Sequence, residues 1–230
     1  MLTLGIDTST RVCSVAVCDG EKILGTLDIN VGLTHSEGLV PQLETLLHLA
    51  RVRKEDLELI AVSRGPGSFT GLRIGMATAE ALAYSLNLPL RAVDTLKVIA
   101  YNLPVAGVLL APVLDAQKGN LYVGQYIWDQ GQLEEAEPVS ILPAKNLVSL
   151  LEKKDRPVIL LGECHRVPRH EGFLVASAPE SARMPRGSSV AILAAQDYEP
   201  ADRHSYFGME PFYIRRSEAE ELWEKRHNTK

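Results

Sequence analysis

The chain has 230 residues, of which 46% are hydrophobic and 23% charged, and its formal net charge is −5. This balance supports a buried core and excludes a disordered chain. The negative charge argues against a general nucleic-acid-binding surface, which needs a basic face, but leaves room for a role beside subunits that hold the nucleic acid. Three scattered cysteines, an opening typical of a strand and no apolar span of membrane length lead us to expect a cytoplasmic protein.

Apolar patterning predicts the order βββαβαβα for residues 1–103. Thr34 and Glu37 have the spacing of a capping box at the start of the first helix, in which Pro41 is expected to cause a kink. Asp94 is expected to cap the third helix, which runs to Tyr101. The predicted strands are 2–6, 13–18, 23–29, 57–62 and 89–93, and the first two predicted helices are 34–50 and 70–86.

The second half of the chain, residues 104–210, opens like the first. In each half a strand ending in an aspartate leads through a short polar turn into another strand, which indicates an internal duplication. The strands concerned are 2–7 and 13–18 in the first half, and 108–115 and 121–126 in the second. Further predicted elements are helix 143–151, strand 158–161, a loop over 166–187, and helices 189–196 and 218–227. We expect residues 211–230 to complete the first domain.

A glycine-rich loop follows the predicted strand 57–62. The order of strand, tight loop and helix is the geometry that binds anions, so Gly65, Gly67 and Ser68 are candidate anion-binding residues. The spacing nevertheless matches neither common phosphate-binding motif, because GxGxxG needs a glycine at Thr70 and no glycine-lysine-hydroxyl triplet follows the loop. The loop hydroxyls are expected to satisfy loop amides rather than act as nucleophiles. Arg64 and Arg73 flank the loop. Two interpretations stay open for them: they bind an anion, or they pair with acidic residues on a partner.

Small residues recur at every fourth position of the helix after this loop: Gly71, Gly75, Ala79 and Ala83. A glycine inside a helix costs about 1 kcal/mol relative to alanine, so two of them need a structural reason. We interpret the stripe as a surface for close packing, against either the helix 34–50 or a helix of another subunit.

Asp7, Ser9 and Asp115 stand at or after the strand ends that open each half. Two interpretations stay open for the acids: they face one cleft and serve a metal–nucleotide complex, or each caps its own turn. The histidines form no pair four residues apart, and Cys164, His165 and His170 lack a further ligand, so we expect no metal site.

Several of these segments together resemble the TsaB family. The resemblance runs in order along most of the chain, and the glycine-rich segment is its most specific part. The matching segments are LGIDTS (4–9), HSE (35–37), RGPGSFTGLRIG (64–75), DAQKGNLY (115–122) and FYIR (212–215). The resemblance implies an α/β, actin-like fold of the sugar-kinase/Hsp70 type, built from two small RNase H-like domains, the second degenerate.

The resemblance also implies a function. Members of this family are non-catalytic partners of the related TsaD, which transfers a threonylcarbamoyl group to an adenosine beside the tRNA anticodon, with TsaE as a third component. ATP or ADP and a metal are then expected on the partner proteins and no cofactor on the isolated chain, and tRNA is contacted through the complex.

The same resemblance implies a homodimer in isolation, formed through the first-domain helices that otherwise hold TsaD. The residues assigned to this interface are Thr34, His35, Leu39, Gly71, Arg73, Gly75, Ala79 and Ala83. Where TsaD has a metal-binding His-x-x-x-His pair, this chain reads Asp94-Thr95-Leu96-Lys97-Val98-Ile99, and no histidine occurs between His48 and His165. The loops at Asp7 and Asp115 are then remnants of an ancestral nucleotide cleft.

Two other classes remain as alternatives. One is an ATP-dependent phosphotransferase of the same superfamily, against which the short chain and the lack of a clear adenosine-binding segment count. The other is a metallopeptidase, against which the absence of paired ligands in the sequence counts.

Overall fold

The computed structural model describes residues 1–30, 35–168 and 174–199, together with Met209, Glu210 and Phe212. Thr34 and most of the predicted segment 211–230 lie outside the described residues. The first half forms a five-stranded sheet in the order β3-β2-β1-β4-β5. Its strands are β1 (Leu2–Asp7), β2 (Cys13–Asp19), β3 (Lys22–Ile29), β4 (Leu59–Gly65) and β5 (Leu90–Asp94).

The second sheet repeats the plan of the first, with the order β10-β9-β6-β7-β8. In both sheets an antiparallel hairpin flanks the opening strand on one side and a parallel strand flanks it on the other, so the predicted duplication is confirmed. The strands are β6 (Leu109–Asp115), β7 (Asn120–Asp129), β8 (Gln132–Pro143), β9 (Val158–Gly162) and β10 (Val175–Ser177). Strands β8 and β10 were not predicted.

The described residues contain five α-helices. Each lies within two residues of a predicted helix at both ends, so these predictions are confirmed. They are α1 (His35–Ala50), α2 (Phe69–Leu86), α3 (Thr95–Tyr101), α4 (Ala144–Leu151) and α5 (Gly187–Gln196). Pro41 lies inside α1, which continues past it to Ala50. No helix among the described residues is long and apolar enough to cross a membrane.

The two faces of the first sheet are covered by different parts of the chain. Helices α1 and α2 cover one face, where Leu39 and Met76 join Leu4 and Ile6 in a buried cluster. Helix α5 covers the other face and approaches so closely that a Cβ on Gly5 would lie 2.0 Å from the Gly187 carbonyl oxygen. The predicted second domain, 104–210, includes α5, yet α5 packs on the first sheet; the division of the chain after residue 103 stays a prediction.

Helix α3 lies between the two halves of the molecule. Leu96 and Ile99 pack into a cluster with Leu110 and Tyr126 of the second sheet. Val98 packs on the opposite side, into a cluster with Leu59 of the first sheet. One short helix therefore contributes to two cores.

Candidate functional site

Asp7 ends β1 and is fully buried. The parallel register places Ile6 beside Val62, so that the next residues, Asp7 and Ser63, meet at the carboxyl ends of β1 and β4. The Ser63 hydroxyl donates a hydrogen bond to Asp7 Oδ2, while the Ser9 backbone amide and hydroxyl donate to Oδ1 at 3.1 Å and 3.0 Å. Burial raises the pKa of Asp7 to about 6, against the lowering effect of these hydrogen bonds.

The β1–β2 turn contacts the start of α2 through Thr8. The Thr8 hydroxyl donates to the Gly71 carbonyl oxygen at 2.7 Å. A Cβ on Gly71 would lie 2.0 Å from the Thr8 carbonyl oxygen, and one on Gly75 would lie 2.2 Å from Thr8 Oγ1. Both glycines are therefore required by contact within the chain.

The rest of the small-residue stripe also faces inward. Ala79 and Ala83 are fully buried in the cluster that α1 and α2 form on the first sheet, and Leu39 of α1 lies in the same cluster. Of the two interpretations of the stripe, packing within the chain is the one the structure supports. These positions lack the exposure that direct contact with a partner needs, and the close packing explains the sequence pattern without one.

The glycine loop closes on the same turn. The Ser68 amide donates to the Ser9 carbonyl oxygen at 2.7 Å, and a Cβ on Gly67 would lie 2.3 Å from that oxygen. Ser68 also caps α2, because its hydroxyl accepts from the Gly71 amide at 3.2 Å. The Ser68 and Gly71 amides, which an anion at this helix N-terminus would use, are thus engaged within the chain. Anion binding here stays a prediction.

Gly65 and Arg64 contact Phe212, which is far away in the sequence. Gly65 adopts φ +115°, and a Cβ there would lie 3.2 Å from the Phe212 carbonyl oxygen. The Phe212 amide donates to the Arg64 carbonyl oxygen at 2.7 Å, and the Arg64 guanidinium lies 5.5 Å from the centre of the Phe212 ring. Arg64 also pairs with Asp94 at 2.5 Å, so its acidic partner lies in the same chain.

His35, at the first residue of α1, reaches the same β1–β2 turn. Its Nε2 lies 2.7 Å from the Thr10 carbonyl oxygen and donates to it. Nδ1 is buried and has no hydrogen-bond partner among the residues that the structure describes. The N-termini of α1 and α2 are therefore both attached to the turn that follows Asp7.

The corresponding acid of the second half has different surroundings. Asp115 accepts from the Gln117 amide at 2.8 Å, which is the turn cap predicted as one of its two roles. Arg166 pairs with Asp115 at 3.1 Å and with Glu163 at 2.8 Å. Among the residues that the structure describes, no group of three or more His, Cys, Asp or Glu side chains is placed to hold a metal ion; His170 lies outside them.

The outward faces of α1 and α2 were not identified from the sequence. On α2 the exposed residues recur at helical spacing, from Phe69 through Ala77 to Tyr84. The Arg73 guanidinium lies 4.0 Å from the centre of the Phe69 ring. On α1, Val40 and Leu49 are 51% and 67% exposed, although both are large and apolar. The helical period of the exposed α2 residues was a usable signal: Phe69 and Ala77 each lie two positions from the nearest glycine of the small-residue stripe.

The two repeated sheets, each with an opening strand that ends in an aspartate, define an actin-like fold of the sugar-kinase type. A ROK hexokinase from Thermus thermophilus shares this fold at 15% identity and TM-score 0.50, over 86% of this chain and 100% of that one. YeaZ from Pseudomonas aeruginosa matches at TM-score 0.76 and 27% identity, over 93% of this chain and 99% of its own.

The sequence comparisons narrow this class to one family. The family model for TsaD, tRNA N6-adenosine threonylcarbamoyltransferase, matches residues 30–159. The tRNA threonylcarbamoyladenosine biosynthesis protein TsaB of Bacillus subtilis (strain 168) is 34% identical, over 97% of this chain and 98% of its own length. The chain belongs to the TsaB family.

Proposed function

We propose that the chain is a non-catalytic subunit in tRNA threonylcarbamoyladenosine biosynthesis, which supports threonylcarbamoyl transfer by a TsaD-type enzyme together with TsaE. The observation that carries this proposal is the 34% identity to the Bacillus subtilis TsaB along almost the full length of both chains. The net charge of −5 supports an indirect contact with tRNA, made through the complex.

The exposed faces of α1 and α2 are the proposed docking surface. Val40, Leu49 and Tyr84 place large apolar side chains in solvent there, and Phe69 adds a fourth that is 39% exposed. Exposed apolar groups on adjacent helices are typical of a protein interface. We propose that two copies pair through this surface when TsaD is absent.

The residues around the strand ends support the non-catalytic role. Asp94, the last residue of β5, pairs with Arg64, and the segment from Thr95 to Ile99 contains no histidine. Asp7 and Ser68 are held by hydrogen bonds within the chain. We therefore place the ATP or ADP, the metal and the transfer reaction on the partner proteins.

Reconstitution tests the proposal directly. The chain, TsaD and TsaE are combined with tRNA, ATP and a threonylcarbamoyl donor system, and modified adenosine is measured with and without the chain. We expect modification to require the chain, and the chain to co-elute with TsaD. Modification at the same rate without the chain contradicts the proposal, as does tight binding and turnover of magnesium–ATP by the isolated chain.

A further inference from the structure

A groove of about 380 Å³ lies between α1 and the β2–β3 hairpin. Its size is in the range of sites that hold a ligand or a partner's side chains. Its lining residues are Cys13, Leu27, Ile29, Glu37, Gly38, Pro41, Gln42 and Thr45. The walls are mainly apolar.

Two of the polar side chains that line the groove are already engaged. Gln42 Nε2 donates to the carbonyl oxygens of Cys13 at 3.0 Å and Leu27 at 2.6 Å; its Oε1 has no hydrogen-bond partner among the described residues but is buried out of reach of solvent. The Thr45 hydroxyl donates to the Pro41 carbonyl oxygen at 2.8 Å. The groove therefore offers a polar metabolite few groups to bind, and its floor suits an apolar side chain.

The polar groups left at the rim accept hydrogen bonds. Proline has no N–H, so Pro41 cannot make the helical hydrogen bond to the Glu37 carbonyl oxygen. The Glu37 carboxylate is exposed and has no ion-pair partner among the described residues. A complementary ligand carries a cation or an N–H donor next to its apolar part.

We propose that this groove receives an apolar side chain of the TsaD-type partner, with an adjacent basic side chain placed against Glu37. The inference rests on the proposed function, because it makes the groove part of the α1 docking surface. Charge complementarity at Glu37 and the shortage of free polar groups on the floor favour a protein segment of this kind. Enclosing the ion pair beside an apolar contact gives the groove selectivity as well as affinity.

Gly38 offers a way to fill the groove without disturbing the fold. A Cβ built at Gly38 has no heavy atom within 4 Å, and the residue lies inside α1 and lines the groove. Tryptophan also has a higher helix propensity than the glycine it replaces. Gly38→Trp therefore blocks the groove while α1 is kept.

The test measures the affinity of the full-length chain for TsaD by titration calorimetry. We expect Gly38→Trp to weaken binding at least about thirtyfold, the scale of a lost hot spot, and Glu37→Gln to weaken it about fivefold. Glu134→Gln is the matched control, because Glu134 is exposed on β8 of the second sheet, outside both the groove and the proposed docking surface. Thermal unfolding checks that each variant is folded, and Thr45→Trp replaces Gly38→Trp if that variant is unstable.

The outcomes separate the two proposals. A folded Gly38→Trp variant that binds TsaD as the wild type does overturns the groove assignment. The same holds if Gly38→Trp abolishes only the homodimer, since the occupant is then a second copy of the chain. Failure of the wild-type chain to bind TsaD overturns the proposed function itself.

Discussion

The Thr8 hydroxyl occupies the space that a side chain at Gly75 would need: a Cβ on Gly75 would lie 2.2 Å from Thr8 Oγ1. The same hydroxyl donates to the Gly71 carbonyl oxygen one helical turn earlier. The β1–β2 turn and α2 are thus fitted to each other at two consecutive turns of the helix.

This contact predicts a coupled pair of substitutions. Gly75→Ala alone should destabilise the protein by about 1–2 kcal/mol, because overpacking costs more than the gain in helix propensity. In a Thr8→Ala background the hydroxyl is absent and the remaining Cβ would be 3.4 Å away, so Gly75→Ala should cost much less. Urea unfolding of the four proteins measures the coupling, and additivity within about 0.5 kcal/mol contradicts the predicted contact.

Asp7 predicts a pH dependence of stability with a definite sign. Its pKa is raised from 3.8 to about 6 by burial, so between these values the folded state binds more protons than the unfolded state. The stabilisation is complete below about pH 4 and is lost as the pH rises through about 6, an effect of roughly 3 kcal/mol.

Asp7→Asn removes this titration while it keeps the size of the side chain. Chemical denaturation from pH 4 to pH 7 should show the wild type losing stability relative to Asp7→Asn as the pH rises. The difference between the two proteins is the informative quantity, because other groups titrate equally in both. Parallel curves over this range contradict the raised pKa.

The outward face of α2 predicts a variant that binds poorly and folds well. Ala77 is exposed, so Ala77→Arg should change the free energy of unfolding by less than about 0.5 kcal/mol. It should nevertheless weaken co-elution with TsaD, because it places a charged side chain in the proposed apolar surface. Ala136→Arg, at an exposed alanine of β8, is the matched control and should co-elute normally.

A substitution within the small-residue stripe, such as Gly75→Leu, cannot replace Ala77→Arg as a test of the docking surface. Gly75 is buried against Thr8, so a leucine there disrupts the packing of α2 on the β1–β2 turn, and loss of binding would follow from loss of structure. Only exposed positions separate the interface from the core.

The Arg166 contacts predict a small and salt-dependent effect. Arg166 pairs with both Asp115 and Glu163, but all three side chains are partly exposed to solvent. Arg166→Ala should therefore destabilise the protein by no more than about 1 kcal/mol at low salt and less at high salt. Thermal unfolding at two salt concentrations measures this, and a loss of several kcal/mol would show that the pair behaves as a buried one.

Local patterns predicted most elements of this fold, but not the direction in which each face points. The period of Gly71, Gly75, Ala79 and Ala83 correctly indicated close packing; the identity of the contact, Thr8, depends on a turn more than sixty residues earlier. Strand β8 was missed because its exposed glutamates lack the apolar alternation of a half-buried strand.

The packing of α5 also has no local signal. Its residues are apolar on nearly all sides, which predicts burial, but nothing in the segment indicates the sheet of the opposite half as its partner. The fit of Gly5 to Gly187 appears only when both are placed in space.

That fit makes the two halves of the chain dependent on each other. A fragment ending at residue 103 would lack α5 and would leave Ala16 and Cys18, now buried against Ala191 and Ile192, facing water. The ancestral duplication has therefore not left two separable folding units. Helix α5 follows the second sheet in the chain yet completes the core of the first, so the opening sheet is covered on both sides only after residues 187–196 have been synthesised.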